Sequence, residues 1–308
     1  MDSPLTRIIL TTIGGYLLIL VLLSVYDWVL EEYPCRPSKP DRPERIQHPF
    51  HHQGAKEALL LFSRLSKSEK TALQNNLESN LISIDAWLSR LGQSEVQILC
   101  MGELHKESTR SFLSQEVFAK LRVDVLLLEA TPSELKGLIR RMGAGREYFP
   151  LLDADIMNIL RSARDMNPDI RIHGIEQTGN QAGSHGGRFN SRDQSIAQNF
   201  WAAFQTGSLH IILFGALHCT NESNWLFQTL CRQAPSTLED KMLNVRVLGE
   251  HQNGPVEAFV YFMDQIGSKQ RHFVIPDTRS LPACIYKWFP LLNRQTLEKY
   301  RSVIIFRT

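Results

Sequence analysis

The sequence predicts an α/β protein: a mostly parallel central sheet with helices on both faces, preceded by a single transmembrane helix. Three observations carry that reading. Four short apolar strands, at residues 96–101, 123–128, 170–175 and 210–214, are each followed by a helical pattern. Residues 8–26 form an apolar run without a charge. The remaining composition is ordinary for a globular chain, with 308 residues, 43% hydrophobic and 21% charged. It excludes wholesale disorder, a collagen repeat and a polytopic membrane bundle. Lys plus Arg is 34 against 32 for Asp plus Glu, a net charge of +2. Such a balance leaves no electrostatic footprint for nucleic acid, so none is expected as a partner.

The N-terminal run is bracketed by Arg7 and Asp27, with Trp28 and Tyr33 where an aromatic belt would lie. A helix needs about 20 apolar residues to cross the hydrocarbon layer, and this run has that length. No small-x-small site follows it, so it reads as an uncleaved anchor over residues 1–32, with the membrane engaged through residues 8–30. Arg36, Lys39, Arg42 and Arg45 follow the span, and the positive-inside rule therefore favours a cytoplasmic main domain. Residues 33–50 are a linker, because Pro34, Pro37, Pro40, Pro43 and Pro49 forbid a continuous helix. His48, His51 and His52 close it and read as a solvated linker end. The remaining residues, 51–308, form one α/β domain.

Within that domain, residues 55–91 place Leu59, Leu65, Leu73, Leu77, Ile84 and Leu88 at helical spacings, giving one or two amphipathic helices. The first strand ends at Gly102, and a helix covers 109–121. The second strand ends at Glu129; a helix over 132–141 carries Pro132 in its first turn, where proline is tolerated. A further helix spans 155–165 and stops before Pro168. The third strand ends at Glu176, a helix covers 191–205, the fourth strand ends at Gly215, and a helix covers 221–232. Residues 243–248, 256–263 and 303–306 read as strands that extend the sheet, with antiparallel pairing expected. The five cysteines, at 35, 100, 219, 231 and 284, are odd in number and contain no CxxC, so reduced thiols are expected.

Ligands of open parallel sheets bind outside the carboxyl ends of the strands. Here the four strands end in Gly102-Glu-Leu-His105, Glu129, His173-Gly-Ile-Glu176 and Gly215-Ala-Leu-His218. Two Gly-x-x-His endings suggest a shared purpose: the glycine lets the chain turn, and the histidine projects over the sheet edge. The candidate catalytic residues are Glu103, His105, Glu129, Arg192 and His218. His105 and His218 are expected to face each other with Glu103 and Glu129 between them. These four are also the candidate metal ligands, suited to Zn, Mn, Co or Fe rather than Ca. Without a metal, one histidine serves as general base. Arg188 and Arg192 stand at the start of a helix, where the dipole favours acids, so an anion or a developing oxyanion explains them better. His173 is expected to be structural and His210 to be exposed. Residues 182–186 resemble a nucleophile elbow but lie in a glycine-rich loop, and no phosphate loop, HExxH or GxGxxG occurs.

Taken in order, Gly102-Glu-Leu-His105, the Glu129 strand ending, Arg192-Asp-Gln-Ser-Ile-Ala-Gln-Asn199 and Gly215-Ala-Leu-His218 resemble the Tiki/TraB–ChaN–erythromycin esterase superfamily over about residues 95–220. The first motif is most like the ChaN haem-binding branch, the second the Tiki/TraB form. The resemblance implies a hydrolase, metal-dependent protease or esterase, acting on a small-molecule or peptide substrate, which the expected N-terminal span would anchor to a membrane. It equally implies an alternative, a haem- or metal-binding protein without turnover; no haem-ligating tyrosine is matched by position. A catalytically dead interaction module is the third reading.

Overall fold

Capping side chains fix where the chain enters its helices. A computed structural model describes residues 60, 63–143, 151–184, 189–249, 254–265, 268, 270–281 and 298–307. The expected anchor, the linker with its histidines, and Arg188 lie outside them. Among the described residues no helix is long and apolar enough to cross a membrane. Helix α1, Lys67–Asn80, starts in a capping box: the Ser66 hydroxyl accepts from the Glu69 N–H, and the Glu69 carboxylate accepts from the Ser66 N–H. Helix α2, Ile84–Gln93, is capped by Ser83 and buries Ile84, Trp87, Leu88 and Leu91, one helical stripe.

The α/β pattern then follows the sequence closely. Strand β1, Ile98–Glu103, leads into helix α3, Glu107–Phe112, which continues as a π-helical turn, Leu113–Phe118. Strand β2, Val125–Leu128, precedes helices α4, Pro132–Gly143, and α5, Leu151–Met166. Strand β3, Arg171–Gly174, precedes α6, Gly179–Ser184, and α7, Phe189–Ala203. Strand β4, His210–Gly215, runs into a 3-10 turn, Ala216–Cys219, and helix α8, Leu226–Gln233. Strand β5, Met242–Gly249, helix α9, Gly254–Gln265, and strands β6, Phe273–Ile275, and β7, Ser302–Phe306, complete the chain.

The seven strands lie in the order β3-β2-β4-β1-β5-β7-β6. All neighbours pair in parallel except β6 and β7. Alternate residues of β1 feed two separate cores. Ile98 and Cys100 join Leu77 of α1, Phe200 of α7, Phe227 of α8 and Phe259 of α9. Leu99 and Met101 join Trp87 of α2, Phe118, Leu138 of α4 and Leu160 of α5. Both faces are covered, which is why the strands read as continuous apolar runs. The helices after β1 and β2 pack on one face, those after β3 and β4 on the other. Strand β4 lies between β2 and β1, so neighbouring connections diverge there and leave a crevice at the carboxyl edge.

The structure corrects several sequence expectations. Residues 256–263 are helical, not a strand: Val256, Phe259, Val260 and Met263 are buried at i, i+3, i+4 and i+7, a period that β-prone residue types obscure. Strands β5 and β7 are parallel to the sheet rather than antiparallel. The helix expected over 221–232 begins only at Leu226. Strand β6, too short for a period, had no signal. His210 is fully buried, not exposed. Its strand is covered on both faces, its Nε2 accepts from the Gln205 N–H at 3.1 Å, and its ring stacks on Phe204 at 4.7 Å. Cys100 and Cys219, 119 residues apart, are disulfide-bonded, against the expectation of reduced thiols; Cys231 is free. The pairing follows from the fold, because the turn after β4 doubles back over the face of β1 that carries Cys100.

Candidate functional site

Close backbone packing builds the site. A Cβ placed on Gly102 would lie 2.9 Å from Cα of Ala216, so only glycine lets the 3-10 turn settle on the end of β1. A Cβ on Gly215 would lie 3.0 Å from Nε2 of His105 and 3.4 Å from Oε2 of Glu129. Gly102 is thus required by the backbone that sits on it, while Gly215 leaves room for the side chains of His105 and Glu129.

Glu129, just past the end of β2, is the hub. Its Oε2 accepts from the Gly215 N–H at 2.7 Å and lies 3.3 Å from His105 Nε2. Its Oε1 accepts from Arg192 Nη2 at 2.8 Å and lies 3.9 Å from His218 Nε2. The two histidines therefore meet on one carboxylate. Glu103, almost wholly buried, accepts from Arg110 Nε at 3.0 Å and lies 3.1 Å from His105 Nδ1. Glu176 accepts the side-on fork of Arg192: Nε to Oε1 at 2.9 Å and Nη2 to Oε2 at 2.7 Å. His218 Nδ1 lies 2.8 Å from Oδ1 of buried Asp193, and His218 Nε2 lies 3.0 Å from Arg192 Nη1. An arginine can only donate and an ionised carboxylate only accept. The neutral His218 tautomer that satisfies both neighbours carries its proton on Nδ1 and leaves Nε2 as the acceptor.

The electrostatics follow from these contacts. Burial alone would lower the pKa of His105, but its hydrogen bonds and charge contacts with Glu103 and Glu129 outweigh it and raise the pKa to about 9. The ring is an imidazolium at neutral pH, donating to both carboxylates. Arg110 Nη2, 3.0 Å from Nδ1, then faces a fellow donor, and the two share Glu103. Burial would push the Glu129 carboxyl up, but the hydrogen bond and charge of His105, together with the Gly215 N–H, hold it well below the usual carboxylate range. Burial would likewise lower Arg192, yet Glu176 and Glu129 keep its guanidinium charged.

All five candidates, Glu103, His105, Glu129, Arg192 and His218, come together at the crevice. His173 lies on β3, outside the cluster, and burial lowers its pKa. Arg110, Asp193 and Glu176 complete the network. Glu176 carried the strand-end signal, whereas Asp193 stood in the helix motif beside Arg192 with no role of its own. Arg110 had no signal, because its role arises from one turn of α3 lying beside Glu103.

The donor set does not suit a metal. The Arg192 guanidinium occupies the position between His218 Nε2 and Glu129 that a cation would take, and among the described residues no group of three or more His, Cys, Asp or Glu is arranged to hold a metal ion. A haem fits no better: both nitrogens of His105 are engaged by carboxylates. Beside the cluster lies a cavity of about 570 Å³, whose lining includes Glu103, His105, Arg110 and Glu129 as well as Leu128, Leu135, Leu138, Ile156 and Leu213. Oε2 of Glu103 has no hydrogen-bond partner.

No protein-family model matches the chain, and no curated protein matches it. Among solved structures it is similar to a Bacillus cereus protein, with 10% identity, a TM-score of 0.50, and 77% of this chain and 97% of that one covered. A weaker likeness reaches the C-terminal region of Pasteurella multocida toxin, described as having a thiol-protease-like catalytic triad, at 10% identity and TM-score 0.36 over 63% of this chain and 29% of that one. A MARTX toxin effector domain from Vibrio vulnificus is similar at 17% identity and TM-score 0.35, over 63% of this chain and 42% of that one. The chain thus spans less than half the length of either toxin structure. What the Bacillus cereus likeness establishes is the shared fold.

Proposed function

We propose that the protein is a membrane-anchored hydrolase of the Tiki/TraB–ChaN–erythromycin esterase type, cleaving an ester or peptide bond with its own side chains as the acid–base groups. The observation that carries this reading is the buried Asp193–His218 pair, 2.8 Å apart, with His218 Nε2 facing the carboxylate–guanidinium cluster. Asp193 fixes the tautomer that leaves Nε2 basic, an arrangement used by acyl-transfer sites on unrelated folds. As Arg192 Nη1 turns from His218 Nε2 to the substrate carbonyl oxygen, water attacks the carbonyl carbon and the freed Nε2 takes its proton. The carbonyl oxygen becomes an oxyanion, stabilised by the Arg192 guanidinium. On collapse the carbon–heteroatom bond breaks, and His218 returns the proton to the leaving group. The leucine-rich lining of the 570 Å³ cavity suits an apolar acyl or side-chain group. The anchor expected at residues 8–26 would hold the domain at a membrane surface.

An ester and peptide library screened with the wild-type protein supplies the substrate. His218→Ala is then expected to lower kcat on the order of a hundredfold or more, and Asp193→Asn to lower it strongly with little change in KM. Full activity in His218→Ala sinks the proposal.

A further inference from the structure

Besides Arg307, which pairs with Asp264, three arginines stand near the carboxyl edge, and two have acidic partners: Arg110 on Glu103 and Arg192 on Glu129 and Glu176. The third, Arg246 on β5, pairs with Gly102 in register, level with the end of β1, and shares the strand face over which the Ala216–Cys219 turn folds. Its guanidinium lies over the Tyr300 ring, 5.7 Å from the centroid, and Nη1 donates to the Tyr300 hydroxyl at 3.3 Å. Tyr300 in turn donates to the carbonyl of Ala216 at 2.8 Å. The guanidinium is therefore pinned two hydrogen bonds from the backbone of the turn that carries His218.

The Nε side of the Arg246 guanidinium has no partner among the described residues. Nε is buried and has no hydrogen-bond partner, and among the described residues Arg246 forms no ion pair. Nε–H and Nη2–H point the same way and form the side-on fork of the guanidinium. Arg192 uses that same fork on Glu176. A half-buried, oriented and unneutralised fork is costly to maintain and matches the two oxygens of a carboxylate or phosphate. We infer that Arg246 is an oxyanion-binding subsite, taking a carboxylate or phosphate group on the molecule that occupies the neighbouring site. The inference rests on the hydrolase reading only for the identity of that molecule as substrate; the anion site stands by itself.

The test uses the full-length protein titrated with inorganic phosphate, with acetate, and with chloride at matched ionic strength, read by calorimetry and by thermal unfolding. Expected is saturable binding of phosphate or acetate that raises the unfolding midpoint, which chloride does not reproduce; the stronger of the two identifies the group. Arg246→Gln is expected to weaken binding at least tenfold. Arg246→Lys, which keeps the charge over Tyr300 but loses the fork, is expected to weaken it about fivefold. His218→Ala, which should lower kcat on the order of a hundredfold or more, is expected to leave oxyanion affinity unchanged, so the two ideas fail separately. Equal affinity in wild type and Arg246→Gln overturns the inference. So does a wild-type protein that responds to phosphate, acetate and chloride alike.

Discussion

At the scale of residues, His105 is the group whose charge the site fixes most firmly, with a carboxylate on each ring nitrogen. Its pKa rises from 6.5 to about 9 on folding, so the folded state binds the proton more tightly than the unfolded chain. That contribution to stability is complete below about pH 6.5 and is lost as pH rises through about 9. The unfolding midpoint of wild type should therefore exceed that of His105→Gln most at pH 6, with the gap closing by pH 10. A gap that is flat across that range means the ring is neutral in the folded protein. The sequence was informative about this group because Gly-x-x-His at two strand ends specifies residue types that only a convergent edge would use. It was silent about Asp193 and Arg110, whose partners are chosen by the placement of helices rather than by local pattern. It misled at His210, since a polar residue opening a strand looks exposed until Phe204 covers it.

At the scale of elements, the turn Ala216–Cys219 holds the chemistry in place, and nothing in its own sequence explains its rigidity. It is gripped from outside: Tyr300 on the Ala216 carbonyl, Asn244 on the Cys219 carbonyl at 2.7 Å, and the Cys219 sulfur on Cys100. Asn244 also donates to the Lys299 carbonyl, tying the approach to β7 into the same knot. Gly102 is the floor beneath the turn. Gly102→Ala must push Ala216 outward by several tenths of an ångström, a backbone contact that cannot rotate away. Overpacking of this kind costs about 1–3 kcal/mol. The variant is expected to unfold at lower denaturant and to lose most of its activity, because His218 moves with the turn. Retained activity at unchanged stability means the turn yields without disturbing His218. Of the elements themselves, the four motif-bearing strands were legible as uninterrupted apolar runs. Helix α9 was not: Val, Phe and Tyr favour strands locally, and burial against β5 and β7 decides the matter.

At the scale of the whole molecule, the described residues all fall in the unit Gln47–Thr308, which has its own two-faced core. Deleting residues 1–32 should leave a soluble protein with one cooperative thermal transition, because the core is built from Leu65 onward. Two signals pull in opposite directions over the side of a membrane on which the proposed anchor would place that core. The basic residues after the predicted span favour the cytoplasm. The buried Cys100–Cys219 bond favours an oxidising compartment, since cytosolic thiols are kept reduced. The bond is the more demanding of the two, for it closes a 119-residue separation and should contribute about 2–4 kcal/mol. Cys100→Ser is therefore expected to lower stability by that amount and to loosen the turn that carries His218. Alkylating cells before lysis, then reducing the denatured protein and labelling it with a second reagent, reads the state of each thiol directly. With the domain on the oxidising side, Cys100 and Cys219 take only the second label, while Cys231, half-buried and unpaired, escapes it. If Cys100 and Cys219 take the first label once the cells are denatured in alkylating reagent, the bond is absent in the cell. The basic residues then decide the orientation, and the site works with its turn held by Tyr300 and Asn244 alone.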